Sequence, residues 1–129
     1  MNVVNKLTRT LLAALALQGG LVNTAMAAED AIVVVVKVFP GAGRENELQS
    51  RYQKQLEFLV KSEPNSSFRL HRSAKEPTYF LWYETYPSQA AFDNHLKAVM
   101  PAFRKEFGPT PEGLVARPSE SEIYREITK

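Results

Sequence analysis

From residue 31 to residue 39 the chain is almost continuously apolar, with the β-branched run Ile32-Val33-Val34-Val35-Val36 and Lys37 as its one polar residue. The stretch is too short for a typical helix and rich in β-branched residues, which predicts a strand with both faces apolar. Pro40-Gly41-Ala42-Gly43 ends it. From Arg44 the apolar residues fall at Leu48, Tyr52, Leu56, Leu59 and Val60, the spacing of one helical face. That stripe stops near Ser62, because Glu63 precedes Pro64 and a residue before proline is pushed out of the α region. Residues 67–73 and 78–86 read as two strands of a hairpin turned at Ala74-Lys75-Glu76-Pro77, the second dense in aromatics. Pro87-Ser88 opens a second helix, with Ser88 as its N-cap candidate and Ala91, Phe92, His95, Leu96 and Val99 along one side. Beyond Pro101 a further short helical turn carries Phe103 and Phe107. Residues 108–121 read mostly as loop, with Leu114-Val115-Ala116 able to pair briefly, and residues 122–127 as a last strand.

The order β-α-β-β-α-β predicts an α+β fold of the ferredoxin-like type, an antiparallel sheet with both helices on one face. In the first strand Ile32, Val34, Val36 and Val38 oppose Val33, Val35 and Phe39; in the third, Phe80, Trp82 and Tyr86 oppose Tyr79, Leu81 and Tyr83. Two helices cover only one side. The other is expected to meet a second copy, because a wet apolar face forfeits several kcal/mol at about 25 cal/mol per Å². The predicted assembly is a homodimer joined face to face through its sheets.

Composition changes this picture mainly at the N-terminus. Lys6 and Arg9, the apolar run Leu11-Leu12-Ala13-Ala14-Leu15-Ala16-Leu17 and the small-x-small site Ala25-Met26-Ala27 have the pattern of a secretory signal peptide over residues 1–27. The apolar run breaks at Gln18-Gly19-Gly20, short of the roughly 18 residues that a membrane span requires. Export to the periplasm or the medium is therefore expected, with no membrane anchor after cleavage and residues 28–129 as one domain. The full chain of 129 residues carries 16 Lys and Arg against 14 Asp and Glu. Without Lys6 and Arg9 the balance is even, which gives little support to a nucleic-acid partner. The absence of cysteine excludes disulfides, thiolate nucleophiles and iron–sulfur ligation.

Among chemistry-bearing residues, His95 is the leading candidate base, on the side of its helix that faces the sheet. The alternative is a core-edge histidine satisfied by a hydrogen bond. Glu84 shares a strand face with Phe80, Trp82 and Tyr86. It is either a carboxylate of raised pKa that moves protons, or one neutralised by Arg72 or Arg69 of the neighbouring strand. Trp82 and Tyr83 point to opposite faces, so only one of them lines any given pocket. Trp82, Phe80, Tyr83 and Arg72 are the candidate substrate contacts. His71 has no second ligand at metal spacing, so no metal site is expected. Gly41-x-Gly43 lacks the residues of a phosphate loop and reads as a turn.

Three stretches carry a family resemblance: Val38-Phe39-Pro40-Gly41, Glu63-Pro64-Asn65, and Phe80-Leu81-Trp82-Tyr83-Glu84 leading into Ala90-Ala91-Phe92-Asp93-Asn94-His95. From Ile32 to about Phe107 the chain resembles the antibiotic biosynthesis monooxygenase family. It departs from that pattern at Asn65, where glycine is usual, and at Phe68, where tyrosine is usual. The resemblance implies ferredoxin-like subunits paired into a dimeric α+β barrel. It also implies oxygenation of quinols or phenolic aromatics by O2 without metal, haem or flavin. Such chemistry needs an electron-rich phenol converted to its anion. With a phenol pKa of about 10 against about 6.5 for histidine, His95 works uphill unless the pocket stabilises the oxyanion. Two further readings use the same cavity: a non-catalytic dimeric module for a small aromatic ligand, and haem binding or breakdown. Against the haem reading, Lys37 is the only polar residue of the first strand.

Overall fold

The computed structural model describes residues 30–128; the expected signal peptide lies outside them. The β-branched run forms β1 (Ile32–Val38), and the helical stripe forms α1 (Glu45–Ser62). The hairpin is β2 (Ser67–Arg72) and β3 (Phe80–Tyr86). Then come α2 (Gln89–Asn94), a π-helical turn at His95–Val99, α3 (Met100–Phe107) and β4 (Glu120–Arg125). The sheet order is β2-β3-β1-β4 and every pairing is antiparallel. This is the expected α+β, ferredoxin-like architecture. No helix among the described residues is long and apolar enough to cross a membrane.

Three of the differences from the boundaries read in the sequence have a visible cause. The second strand of the hairpin starts at Phe80 rather than at residue 78, because Thr78 is held in the turn by its hydrogen bonds to Glu76. The last strand is Glu120–Arg125 rather than residues 122–127, since its register is set by β1, which pairs Lys37 with Glu120 and Ile32 with Arg125. The helix after Ser88, whose hydroxyl caps it by accepting from the Ala91 N–H, does not pause at Pro101. Pro101 cannot donate to the carbonyl four residues back and its ring crowds that carbonyl. The wider turn at His95–Val99, closed by the Met100 N–H on the His95 carbonyl, carries the chain past it.

Register sorts the side chains into two faces. Val34, Glu84, Phe68 and Ile123 stand opposite one another on the face that carries the helices. Its core holds Ile32, Val38, Leu48, Leu59, Phe80 and Tyr86. The helices lie over β2 and β3 and leave β4 clear, so Ile123 is 62% exposed. The other face carries Val33, Val35, Leu81 and Tyr83 in its middle, but Arg69 and His71 along β2 and Glu120 and Glu122 along β4. Its apolar surface is therefore a central patch, interrupted by Lys37 on β1 and Thr85 on β3 and extended by Tyr124 on β4, narrower than the uniformly apolar face expected from β1 and β3 alone.

The segment 111–116 folds back on the turn after β1. Gly41 donates to the Leu114 carbonyl at 2.8 Å and Ala116 donates to the Phe39 carbonyl at 2.8 Å, which realises the brief pairing expected of Leu114-Val115-Ala116. A Cβ on Gly41 would fall 1.9 Å from the Gly113 carbonyl oxygen. Glycine is required there by contact, and the closure brings the next stretch of chain over the helix-bearing side of the sheet.

Candidate functional site

Between the sheet and the helices, where β4 is left uncovered, lies a cavity of about 960 Å³. Val34, Trp82, Glu84, Phe92 and His95 line its inner part; Tyr52, Gln55 and Leu59 come from α1, and Leu96, Met100 and Ile123 from its open side. Most of these are apolar, the character of a small-molecule pocket with a few convergent polar groups.

His95 is the first residue of the π-helical turn and only 5% exposed. Its ring is packed among Tyr86, Phe68 and Phe92, at centroid distances of 4.9, 6.0 and 6.5 Å. Nδ1 lies 2.6 Å from Oε2 of Glu63, and both side chains are buried. Glu63 is placed by the end of α1: with Pro64 behind it, its backbone leaves the helix at φ −135° and ψ 72°. An ionised carboxylate only accepts hydrogen bonds, so this contact sets the proton on Nδ1 and leaves Nε2 as the acceptor of a neutral ring. No described protein group bonds to Nε2, and no buried side-chain polar atom among the described residues lacks a partner. Nε2 is therefore the nitrogen that opens to the cavity.

Glu84 accepts a hydrogen bond of 2.6 Å from the Tyr86 hydroxyl. Burial pushes the Glu84 carboxyl above the usual carboxylate range; the Tyr86 bond opposes that rise, as does His95 when its ring is protonated, and Glu63 adds to it. Burial and the adjacent Glu84 likewise hold Tyr86 in its neutral form. Tyr52 packs edge-on to Trp82 at 5.3 Å, and burial raises its pKa to about 12. It is a lasting O–H donor on the cavity wall. The arrangement thus offers one proton acceptor, one carboxyl biased towards its acid form and a phenolic donor, in an apolar enclosure.

Of the residues singled out in the sequence, His95, Glu84 and Trp82 line this cavity, whereas Phe80, Tyr83 and Arg72 do not. Phe80 is sealed in the core, and Tyr83 is on the bare face, 41% exposed. Arg72 does not neutralise Glu84. It stands opposite Phe80, at the far end of β3, and donates to Asn46 and Gln49. Arg69, the alternative partner, pairs with Tyr83 on the other face. Glu63, Tyr52 and Gln55 were missed; the one sequence signal for Glu63 was a carboxylate placed before a helix-ending proline. Among the described residues no group of three or more His, Asp or Glu side chains is placed to hold a metal ion.

The sequence model of the antibiotic biosynthesis monooxygenase family matches residues 31–105, more than half of the chain. The chain belongs to this family. Among curated protein sequences none matches it. Solved structures do. A candidate antibiotic biosynthesis monooxygenase from Nitrosomonas europaea is 22% identical, covering 77% of this chain and 92% of its own, with a TM-score of 0.61. Another candidate family enzyme, from Caulobacter crescentus, is 19% identical over 81% of this chain and 96% of its own, with a TM-score of 0.63. A mutant form of SnoaB, a cofactor-independent oxygenase from Streptomyces nogalater, is 14% identical over 78% of this chain and 96% of its own, with a TM-score of 0.58. At these identities the likeness is one of fold. The family match contains Tyr52, Glu63, Trp82, Glu84 and His95, while Thr110, Arg117, Ser119 and Ile123 of the cavity rim lie beyond it. The inner site of this monooxygenase-family domain is thus built from the matched region, and much of its mouth from the segment that follows.

Proposed function

We propose that the protein is an exported, cofactor-independent oxygenase that uses O2 on electron-rich phenols or quinols. The observation that carries this reading is the buried Glu63–His95 pair, whose second ring nitrogen opens into a largely apolar cavity. Family membership supports the reaction class, and SnoaB, similar in fold, is described as a cofactor-independent oxygenase. In the proposed reaction Nε2 takes the phenolic proton while Glu63 balances the charge gained by the ring. The substrate anion passes one electron to O2, and the resulting radical pair combines to a hydroperoxide on a ring carbon. At a ring carbon that began as C–H, loss of water leaves a carbonyl: one oxygen stays in the product, and the other departs as water with the carbon-bound hydrogen and the phenolic proton. Glu84, biased towards its acid form, supplies the proton to the departing hydroxide, and Tyr52 donates to the substrate oxyanion.

Oxygen uptake by metal-free protein lacking residues 1–27, offered a panel of hydroquinones, tests the proposal. His95→Gln is expected to lower the rate by about 10²–10⁴-fold while still unfolding cooperatively. Glutamine keeps a donor for Glu63, whereas deleting one side of a buried pair costs about 3–5 kcal/mol. A panel that binds saturably but consumes no additional oxygen would leave a ligand-binding module in place of an enzyme. The same proposal has residues 1–27 removed on export to the periplasm or medium; recovery of the intact N-terminus from the cytosolic fraction alone would contradict it. It also has two copies joined through the bare sheet face as an α+β barrel.

A further inference from the structure

The proposed reaction employs Glu63, His95, Glu84 and Tyr52, and no part in it falls to Gln55. Yet Gln55 lines the cavity and is only 6% exposed. Glu63 and His95, buried to a similar degree, hold each other. Gln55 makes no hydrogen bond to any described residue, and still neither of its amide atoms is shut away from space without a partner. Both atoms therefore open to the cavity that the residue borders. The position is one that leucine would fill without loss. Leu48, Gln55 and Leu59 are the buried residues of α1, the stripe by which the helix meets the sheet. An amide in that stripe is a cost to the fold unless something completes its hydrogen bonds. It is also set apart from the open nitrogen of His95. Gln55 precedes Glu63 by eight residues, about 12 Å along a helix that rises roughly 1.5 Å per residue, and Glu63 is the residue that holds His95. One turn before Gln55, Tyr52 packs on Trp82. The amide thus belongs to the Trp82 stretch of the cavity, and the ring nitrogen to the stretch beside Tyr86 and Phe92.

We propose that Gln55 selects the substrate by a second ring oxygen: the preferred substrate is a para-diol with one hydroxyl at Nε2 of His95 and the other at the Gln55 amide. This rests on the oxygenase reading for the reaction, but not for the binding. An amide both accepts and donates hydrogen bonds and takes up no proton near neutral pH. It therefore holds a hydroxyl without ionising it, and leaves deprotonation to His95. The same contact that selects the diol fixes which of its oxygens becomes the anion. A monophenol of the same size fills the apolar walls equally well but leaves the amide dry and unpaired. A site built around a hydrogen bond rejects the analogue that lacks it.

The test is a pair of calorimetric titrations under nitrogen, which measure binding without turnover. The probes are naphthohydroquinone and α-naphthol, the same ring frame without the second oxygen. The hydroquinone is expected to bind about tenfold more tightly to the unaltered protein. Gln55→Leu removes the amide at nearly constant volume. It is expected to bring the hydroquinone down to the affinity of naphthol while leaving naphthol's own affinity unchanged or higher, and to leave the melting temperature the same or higher, since the amide has no protein partner to lose. Equal affinities in the unaltered protein, or a preference that survives Gln55→Leu, would overturn the proposal. So would a large fall in melting temperature shared by Gln55→Leu and Gln55→Met, because the amide would then be serving the fold. Oxygen uptake is then measured with the same pair. Preferred binding of the hydroquinone without oxygen consumption keeps the role of Gln55 and removes the oxygenase reading; consumption without preference in binding does the reverse. If neither compound binds, both readings fall.

Discussion

The two faces of the sheet are made by the same four strands, one residue out of step, and they do different work. On the helix-bearing face Ile32, Val34, Phe80 and Tyr86 are buried and also hold Trp82, Glu84 and the His95 ring in position. On the bare face Val33, Val35 and Leu81 are half-buried and Tyr83 is exposed. The side-chain period of two makes this division absolute: no residue of a strand serves both sides. The covered face thus combines core packing with the candidate chemistry, so its substitutions affect both. The bare face has an apolar middle, a basic edge on β2 and an acidic edge on β4. A twofold axis running along the strands would lay the basic edge of one copy over the acidic edge of the other.

The sharpest way to break the comparison is to shorten one side chain on each face. Phe80→Ala, at a site 1% exposed, is expected to cost about 3–5 kcal/mol, whereas Val33→Ala should cost about 1 kcal/mol or less in urea unfolding of dilute protein. Similar losses at both sites would mean that the bare face is as closely packed as the core. A smaller effect comes from placing charge on the bare face. Tyr83→Lys sets two like charges into any face-to-face contact, and is expected to weaken dimerisation by about tenfold or more while leaving the fold intact. Sedimentation at micromolar concentration checks this, with the unaltered protein expected at twice the monomer mass. A monomeric unaltered protein would make the bare face ordinary surface and remove the barrel.

What the sequence disclosed and what it hid follow the same division. Elements with a period were readable: the β-branched run of β1, the stripe of α1, the capped start of α2 at Ser88. So were site residues that ride on such elements, because the period assigns Trp82 and Glu84 to one face and His95 to the helical side that meets it. Contacts between unrelated elements were not. Glu63 reaches His95 from 32 positions away, and a pair at that separation leaves no spacing to detect. The expected Arg72–Glu84 pair failed for a metrical reason. β2 puts Phe68 opposite Glu84, and Arg72, four residues further on, is displaced along the strand by about 13 Å at roughly 3.3 Å per residue.

The smallest expected effect tests the division from inside. Glu84 is the one carboxylate on the helix-bearing side of β3, and burial raises its pKa in the folded protein. An acid whose pKa is higher folded than unfolded binds its proton more tightly in the folded state. Its stabilising contribution is complete below the unfolded value of about 4.3 and declines as pH rises through the folded value, where the buried group must ionise. Glu84→Gln keeps an oxygen to accept from Tyr86 and has no proton to lose. Across a pH series from about 4 upwards, the variant's melting temperature should therefore gain on that of the unaltered protein as pH rises, with most of the gain just above the ordinary carboxylate range. A gain that runs the other way, largest at low pH, would mean that Glu84 is ionised and paired in the folded protein. A difference that stays flat would mean that it titrates as it does in water, and in either case it could not serve as the proton donor of the cavity.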